Sequence, residues 1–370
     1  MSALADWLVR QAPAWLDSHP LTPAQRRALL AITRCRTPAL GGHVYRCTAC
    51  REPDFAYHSC HHRACPRCGG AQTAEWTARQ EVRLLPVPYF LVTFTVPAVL
   101  RALVSASPEL LHDLLFRESA AALQQVAAEP RLLGAELGFV GVLHTWGRQL
   151  QHHPHVHFVV PGGGLNGCQW VHARQPDWLL PVAKLAAVFR RRFEDALRAS
   201  APALHAAVPA GTWRSPWVVH SQPAGSGTNV VRYLARYVGR TAISDERIVA
   251  ADDYTVSFRY TDSATQEKKT CTLAADEFLR RYLQHVLPPG QHRIRYFGWM
   301  HPAAKRRRIL VETLLAKVIV VLPPRPPPPK WHLQCRRCGA FALVEIATIK
   351  PGGAVRFCHR ATGPPAVDAA

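Results

Sequence analysis

The chain has 370 residues, long enough for two or three domains with buried cores, and 48% of them are hydrophobic, which excludes a disordered basic tail as the whole protein. Lys and Arg number 45 against 25 Asp and Glu, a formal charge of +20. A basic excess of that size points to a polyanionic partner, nucleic acid first and an anionic membrane surface second.

The N-terminal stretch MSALADWLVRQAPAW lacks a basic segment followed by an apolar core, so no secretory signal is expected. Thr22 is placed to cap a helix running from Pro23 to about Thr33, with proline at its first position. A cysteine-rich segment follows and closes a first region, residues 1–75. Residues 76–320 alternate strand and helix signals. Tyr89 to Val96, Gly138 to Trp146 and His155 to Val160 read as strands, the last two close enough for an antiparallel hairpin. Trp217 to His220 and Tyr254 to Tyr260 read as further strands. Helices are predicted over Ser107 to Ala128 (with an interruption near Ser119), Val182 to Ala199, Asn229 to Gly239 and Ala274 to Val286. Sequential hairpins with helices on one face fit an α+β fold with an antiparallel sheet better than a doubly wound parallel sheet. The nearest approach to a membrane span, Ile309 to Leu322, holds Glu312 and Lys317, so no spanning helix is expected. The proline-rich stretch from Leu322 to Lys330 reads as a stiff linker to a small cysteine-containing tail, together residues 321–370.

Six of the eleven cysteines fall between Cys35 and Cys68. Clustered CxxC pairs without a secretory signal favour metal over disulfides and a reducing cytoplasm. Cys47 and Cys50, with Cys65 and Cys68, form two such pairs at the spacing of a four-thiolate structural Zn2+ site. Cys35 is expected as a small core residue, and Cys60, His61 and His62 as either competing ligands or polar loop residues. Cys335 and Cys338 make a second candidate zinc half-site, which Cys358 and His359 could complete.

The segment from His152 to Val160 places His155 and His157 two apart, so on a strand both project from one face while Val156 and Phe158 enter a core. Two imidazoles there suit a divalent ion, Mg2+ or Mn2+, that keeps open positions for a phosphate. Tyr233 and Tyr237 share a helical face. An aromatic stripe packed on a sheet would give the same spacing, but Arg232, Arg236 and Arg240 surround the pair, and guanidinium forks suit phosphodiester oxygens. Together these parts suggest attack by a tyrosine hydroxyl on a scissile phosphate, leaving a 5′-phosphotyrosine and a free 3′-hydroxyl. A free phenol titrates about three units above neutral pH, so metal and arginines must stabilise the developing charge. Lys305, Arg306, Arg307 and Arg308 read as a phosphate-tracking run.

This constellation resembles the HUH superfamily of single-strand DNA endonucleases, and more narrowly the two-tyrosine rolling-circle transposases of bacterial insertion sequences, the insertion-sequence ninety-one type. The resemblance is carried by CRTPALGGH (Cys35 to His43), SCHHRACPRC (Ser59 to Cys68), YFLVTFTVP (Tyr89 to Pro97), LHTWGRQLQHHPHVHFVVPGGGL (Leu143 to Leu165) and YLARYVGRTAISDERI (Tyr233 to Ile248). It implies an HUH-type palm with a central antiparallel sheet and flanking helices, preceded by an N-terminal zinc ribbon. It implies that His155 and His157 ligate the catalytic ion, that Tyr233 and Tyr237 are nucleophiles, and that Cys47, Cys50, Cys65 and Cys68 hold zinc. Ala64 stands where the typical block has histidine. The superfamily's third metal ligand falls here to His144, Gln149 or Gln151, with His144 preferred for its place on the partner strand. The implied activity is a metal-dependent DNA transposase that cuts and rejoins single-stranded DNA at the ends of a mobile element, in the bacterial cytoplasm near the nucleoid and without a membrane partner. Two alternatives are a rolling-circle replication initiator with the same nicking chemistry and a non-catalytic zinc-ribbon DNA-binding protein.

Overall fold

A computed structural model describes residues 3–238, 242–262, 264–316 and 334–357, with the side chains of residues 71, 72 and 236–238 excepted. The chain divides into two compact units, residues 1–69 with 320–370, and residues 70–319.

The first unit opens with helices α1 (Ala3–Ser18) and α2 (Pro23–Arg34). Thr22 caps α2 as expected, its hydroxyl accepting from the Gln25 backbone N–H while the Gln25 side chain accepts from the Thr22 N–H. Strands β1 (Gly42–Cys47) and β2 (Pro53–Tyr57) follow as an antiparallel hairpin.

The second unit runs through α3 (Gly70–Arg83), β3 (Tyr89–Thr95), α4 (Arg101–Ala106), α5 (Pro108–Ala127), β4 (Phe139–Trp146) and β5 (His152–Pro161). A small hairpin, β6 (Gly163–Asn166) and β7 (Gln169–His172), leads to α6 (Val182–Ser200), α7 (Pro202–Ala206), β8 (Val218–Pro223) and α8 (Thr228–Val238). Strands β9 (Ile248–Ala251), β10 (Thr255–Thr261) and β11 (Lys268–Ala274) form a separate antiparallel sheet, followed by α9 (Ala275–Leu283), β12 (Ile294–Phe297) and α10 (Lys305–Leu314). The helix around Ser119 is continuous, contrary to expectation, and the Ser119 hydroxyl donates back to the Leu115 carbonyl within it. The predicted stop at Gly239 and the linker from Leu322 to Lys330 lie outside the described residues.

The chain then returns to the first unit with β13 (Leu343–Ile349) and β14 (Val355–Phe357). The sheet there has the order β14–β13–β1–β2, all pairs antiparallel. Within the predicted cysteine-containing tail, β13 completes the ladder on the edge of β1 opposite β2 and buries Val44 against Ala347 and Ile349.

The central sheet of the second unit has the order β12–β4–β5–β3–β8 and is antiparallel throughout. Because alternate residues face opposite sides, one face carries Phe94, Leu143, Val156 and Phe158 into a core with Phe116 of α5 and Phe189 and Phe193 of α6. Gly141 of β4 lies opposite Phe158 of β5, and a Cβ on it would meet that ring at 2.5 Å, so the position needs the bare backbone. The other face carries Leu91, Val142 and Val159 into a second cluster with Val230 and Leu234 of α8. The histidines project from this second face.

Candidate active site and cysteine clusters

β4 and β5 are joined by a tight turn in which the Gly147 N–H donates to the Gln151 carbonyl and Leu150 adopts φ 61°, a left-handed conformation uncommon outside glycine. The ladder slips between His144 and Trp146, a bulge that re-aims the strand beside the site. Helix α9 and the residues after it hold this turn. Arg281 donates to the Gln149 carbonyl at 3.0 Å, and Gln284 and His285 donate to the Leu150 carbonyl at 2.7 and 3.0 Å.

In the resulting register His144 stands directly opposite His155, and Val142 opposite His157. The three histidines converge, each offering one ring nitrogen, with those atoms all within 4.8 Å of one another. Their surroundings keep them neutral. Burial pushes His157 down to about 4 and holds His144 and His155 well below the usual histidine value. Neutral imidazoles have lone pairs to give, which is the donor chemistry a divalent ion requires. Each β5 ring is also oriented from behind. The His155 Nδ1–H donates to the His153 carbonyl at 2.6 Å, leaving Nε2 as the lone-pair nitrogen, and the His157 Nδ1 meets Thr93 Oγ1 at 2.8 Å.

Tyr233 of α8 faces the cluster, its ring centroid 6.2 Å from that of His157. It is 37% exposed, where neighbouring Val230 and Leu234 are buried. The spacing of α8 thus directs its apolar residues into the sheet and leaves Tyr233 at the rim. Tyr237 lies one turn further along α8, and its side chain is outside the described residues. A cleft of about 850 Å³ opens over this constellation, lined by His144, His155, His157, Tyr233, Arg101 and Arg148 among others.

The arginines divide differently from expectation. Arg232 is paired with Glu81 at 2.6 Å, drawn to α3 and not into the cleft. Arg236 has no described side chain, and Arg240 lies outside the described residues. Arg307 binds both carboxylate oxygens of Glu136 and Arg308 lies 3.8 Å from Glu312, whereas Lys305 and Arg306 are exposed. The cations lining the cleft are ones the sequence did not single out: Arg101, donating to His153 Nδ1 at 2.9 Å, Arg148 on the β4–β5 turn, and Arg247. Arg148 sits within the quoted histidine block, but nothing in the spacing marks Arg101. Gln151, an alternative third ligand, has its side-chain Oε1 accepting from the Gln149 N–H at 3.0 Å.

The cysteines of the first unit gather as two groups of four, Cys35, Cys60, Cys65 and Cys68 in one, Cys47, Cys50, Cys335 and Cys338 in the other, so the predicted set of Cys47, Cys50, Cys65 and Cys68 is not one site. Cys35, expected as a plain core residue, ends α2 with its sulfur 3.6 Å from that of Cys68, and Cys60 lies 3.7 Å from the same sulfur. A hydrogen bond from the Cys65 thiol pulls Cys60 down to about 5, the thiolate character a zinc ligand needs. Arg67 pairs with Asp6 and donates to the Cys35 carbonyl. Cys335 and Cys338 gather with Cys47 and Cys50, and Cys358 lies outside the described residues.

Comparisons with known proteins agree with this layout. Residues 138–308, spanning the histidine strands and α8, match a transposase family. Residues 8–96 match a transposase zinc-binding domain of the IS91 type. A chain from Sinorhizobium fredii named as a transposase, y4qJ, is 42% identical over 318 residues, covering 80% of each chain. The transposase for insertion sequence element IS801 of Pseudomonas savastanoi pv. phaseolicola is 33% identical over 309 residues, covering 77% of this chain and 72% of its own. No solved structure matches the chain significantly. Among the described residues no helix is long and apolar enough to cross a membrane.

Proposed function

Because the chain belongs to the IS91-type transposases, we propose that it cuts and rejoins single-stranded DNA at the ends of a mobile element through a 5′-phosphotyrosine intermediate. The single observation that carries the reading is the convergence of His144, His155 and His157 on one side of a sheet with Tyr233 at their edge.

His144, His155 and His157 would hold a divalent ion such as Mg2+ or Mn2+, which would supply the positive charge that polarises a scissile phosphate. The chain's own residues do the rest. Arg101 and Arg148 line the cleft with charges that attract and orient the backbone. The Tyr233 oxygen attacks phosphorus, the P–O3′ bond breaks, and the phenolic proton is lost while the departing oxygen is protonated to a 3′-hydroxyl. The bond to tyrosine conserves the phosphodiester's energy, so a 3′-hydroxyl from another end can reverse the step without a nucleotide cofactor. Tyr237, on the same helix, is available for the second transfer.

The test uses end-labelled single-stranded oligonucleotides from the flanks of the coding region, with Mg2+ and full-length protein. A labelled band that migrates with the protein on a denaturing gel, and that is lost on protease treatment, is the expected result. Absence of that band with every end sequence tried would reduce the protein to a DNA binder.

A further inference from the structure

The cysteine group furthest apart in sequence is built from two copies of one backbone turn. In the first, the Cys47 N–H donates to the Glu52 carbonyl at 3.0 Å, the Arg51 N–H donates to the Cys47 carbonyl at 2.9 Å, and Arg51 has φ 62°. In the second, the Cys335 N–H donates to the Ala340 carbonyl at 2.8 Å, the Gly339 N–H donates to the Cys335 carbonyl at 2.9 Å, and Gly339 has φ 75°. Each turn presents two sulfurs on one side, and the left-handed residue after the second cysteine closes it. A lone CxxC has little reason to adopt a left-handed arginine; a loop whose sulfurs must share a ligand does.

The sulfurs of the two turns meet. Cys47 lies 3.6 Å from Cys338 and Cys50 lies 3.7 Å from Cys335, with all four ligand atoms within 4.8 Å. Four thiolates about 2.3 Å from a tetrahedral zinc are separated by about 3.8 Å along each edge, whereas a disulfide requires about 2.05 Å. The observed separations match the first figure and not the second. Surrounding interactions fix the same pairing of turns: β13 runs beside β1 from Cys47–Leu343 to Gly42–Ile349, and Arg337 pairs with Glu52 at 3.2 Å.

We propose that Cys47, Cys50, Cys335 and Cys338 hold a second structural zinc ion, distinct from the one at Cys35, Cys60, Cys65 and Cys68, and that this ion clips the C-terminal segment to the N-terminal one. Residues 335 and 338 lie beyond the part of the chain that matches the zinc-binding domain, which ends at residue 96. That domain is therefore composite. It is complete only after the second unit has been synthesised between its halves, and strand β1 has an unpaired edge until then.

The experiment counts zinc by elemental analysis in full-length protein carrying H155A/H157A, which removes the imidazole cluster as a competing zinc site, with no reference to DNA cleavage. That chain should carry two ions, one when C335S/C338S is added, and one when C60S/C65S is added. With C335S/C338S, hydrogen exchange should rise in both β1 and β13. One ion in the chain with all its cysteines, or two retained with C335S/C338S, overturns the proposal. Since a cysteine variant could misfold, cobalt(II) is also loaded into the H155A/H157A protein and its ligands are read by X-ray absorption. Four sulfurs per metal at both equivalents supports the clip, and nitrogen or oxygen in the coordination shell of the second equivalent refutes it.

Discussion

Thr93 stands directly across the β3–β5 ladder from His157, and its hydroxyl oxygen lies 2.8 Å from the ring Nδ1. This contact fixes the rotation of the imidazole and keeps Nε2 turned toward His144 and His155. Partners of this kind typically alter metal affinity by about 10–100-fold when removed. Thr93→Val keeps the β-branched shape and removes the hydroxyl. It should weaken Mn2+ binding within that range, measured by calorimetry, while unfolding stays close to wild type. Thr93→Ser should restore binding. An unchanged affinity in Thr93→Val would show that the ring is held by packing alone.

His155→Ala removes one of the three proposed metal ligands and leaves the cleft's arginines in place. Cleavage should fall below detection while affinity for single-stranded DNA changes little and keeps its steep salt dependence. Gel shifts and nicking assays on one preparation separate the two. His144→Ala should behave the same way because it sits opposite His155 in the ladder. If His144→Ala cleaves normally, the third donor is elsewhere.

Two strand histidines were legible because a period of two is short-range: His155 and His157 share a face in any β-strand. His144 was legible only as a preference, since its place opposite His155 depends on the bulge and on the turn through Leu150, held by carbonyl contacts from Arg281, Gln284 and His285 more than a hundred residues away. The cysteine spacing showed that each CxxC offers a pair of sulfurs, but not which pairs join. That choice is made by β13 docking on β1 and by Cys35 at the end of α2. Arg232 looked like a phosphate ligand because its partner Glu81 is distant in sequence.

His112 lies buried in α5, its Nδ1 3.1 Å from Gln291 Oε1, and burial depresses it to about 4, with His152 and Arg295 adding repulsion. A histidine lowered in the folded state contributes its full stability above the unfolded value near 6.5 and loses it as pH falls toward the folded value. At about pH 5 the loss from this one group is about 2 kcal/mol. Thermal unfolding should therefore drop steeply between about pH 7 and pH 5, and His112→Gln should flatten part of the drop. The same slope in the variant would shift the cause to other groups.

Tyr233 and Tyr237 occupy successive turns of α8, and Tyr233 lies beside the histidines, while the side chain of Tyr237 is outside the described residues. If Tyr233 makes the first attack, Tyr233→Phe should abolish the covalent adduct with a single end, because phenylalanine keeps the ring and its packing but has no nucleophilic oxygen. Tyr237→Phe should still form that adduct and lose joining to a second end. Helix packing should survive both changes, since Val230 and Leu234 supply the buried face. Mass spectrometry of trypsin-digested adducts assigns the modified tyrosine directly. A phosphotyrosine found at 237 in the first-step adduct would reverse the order of the two residues. Single and double variants that all cleave would leave α8 as an aromatic-faced helix packed on a sheet.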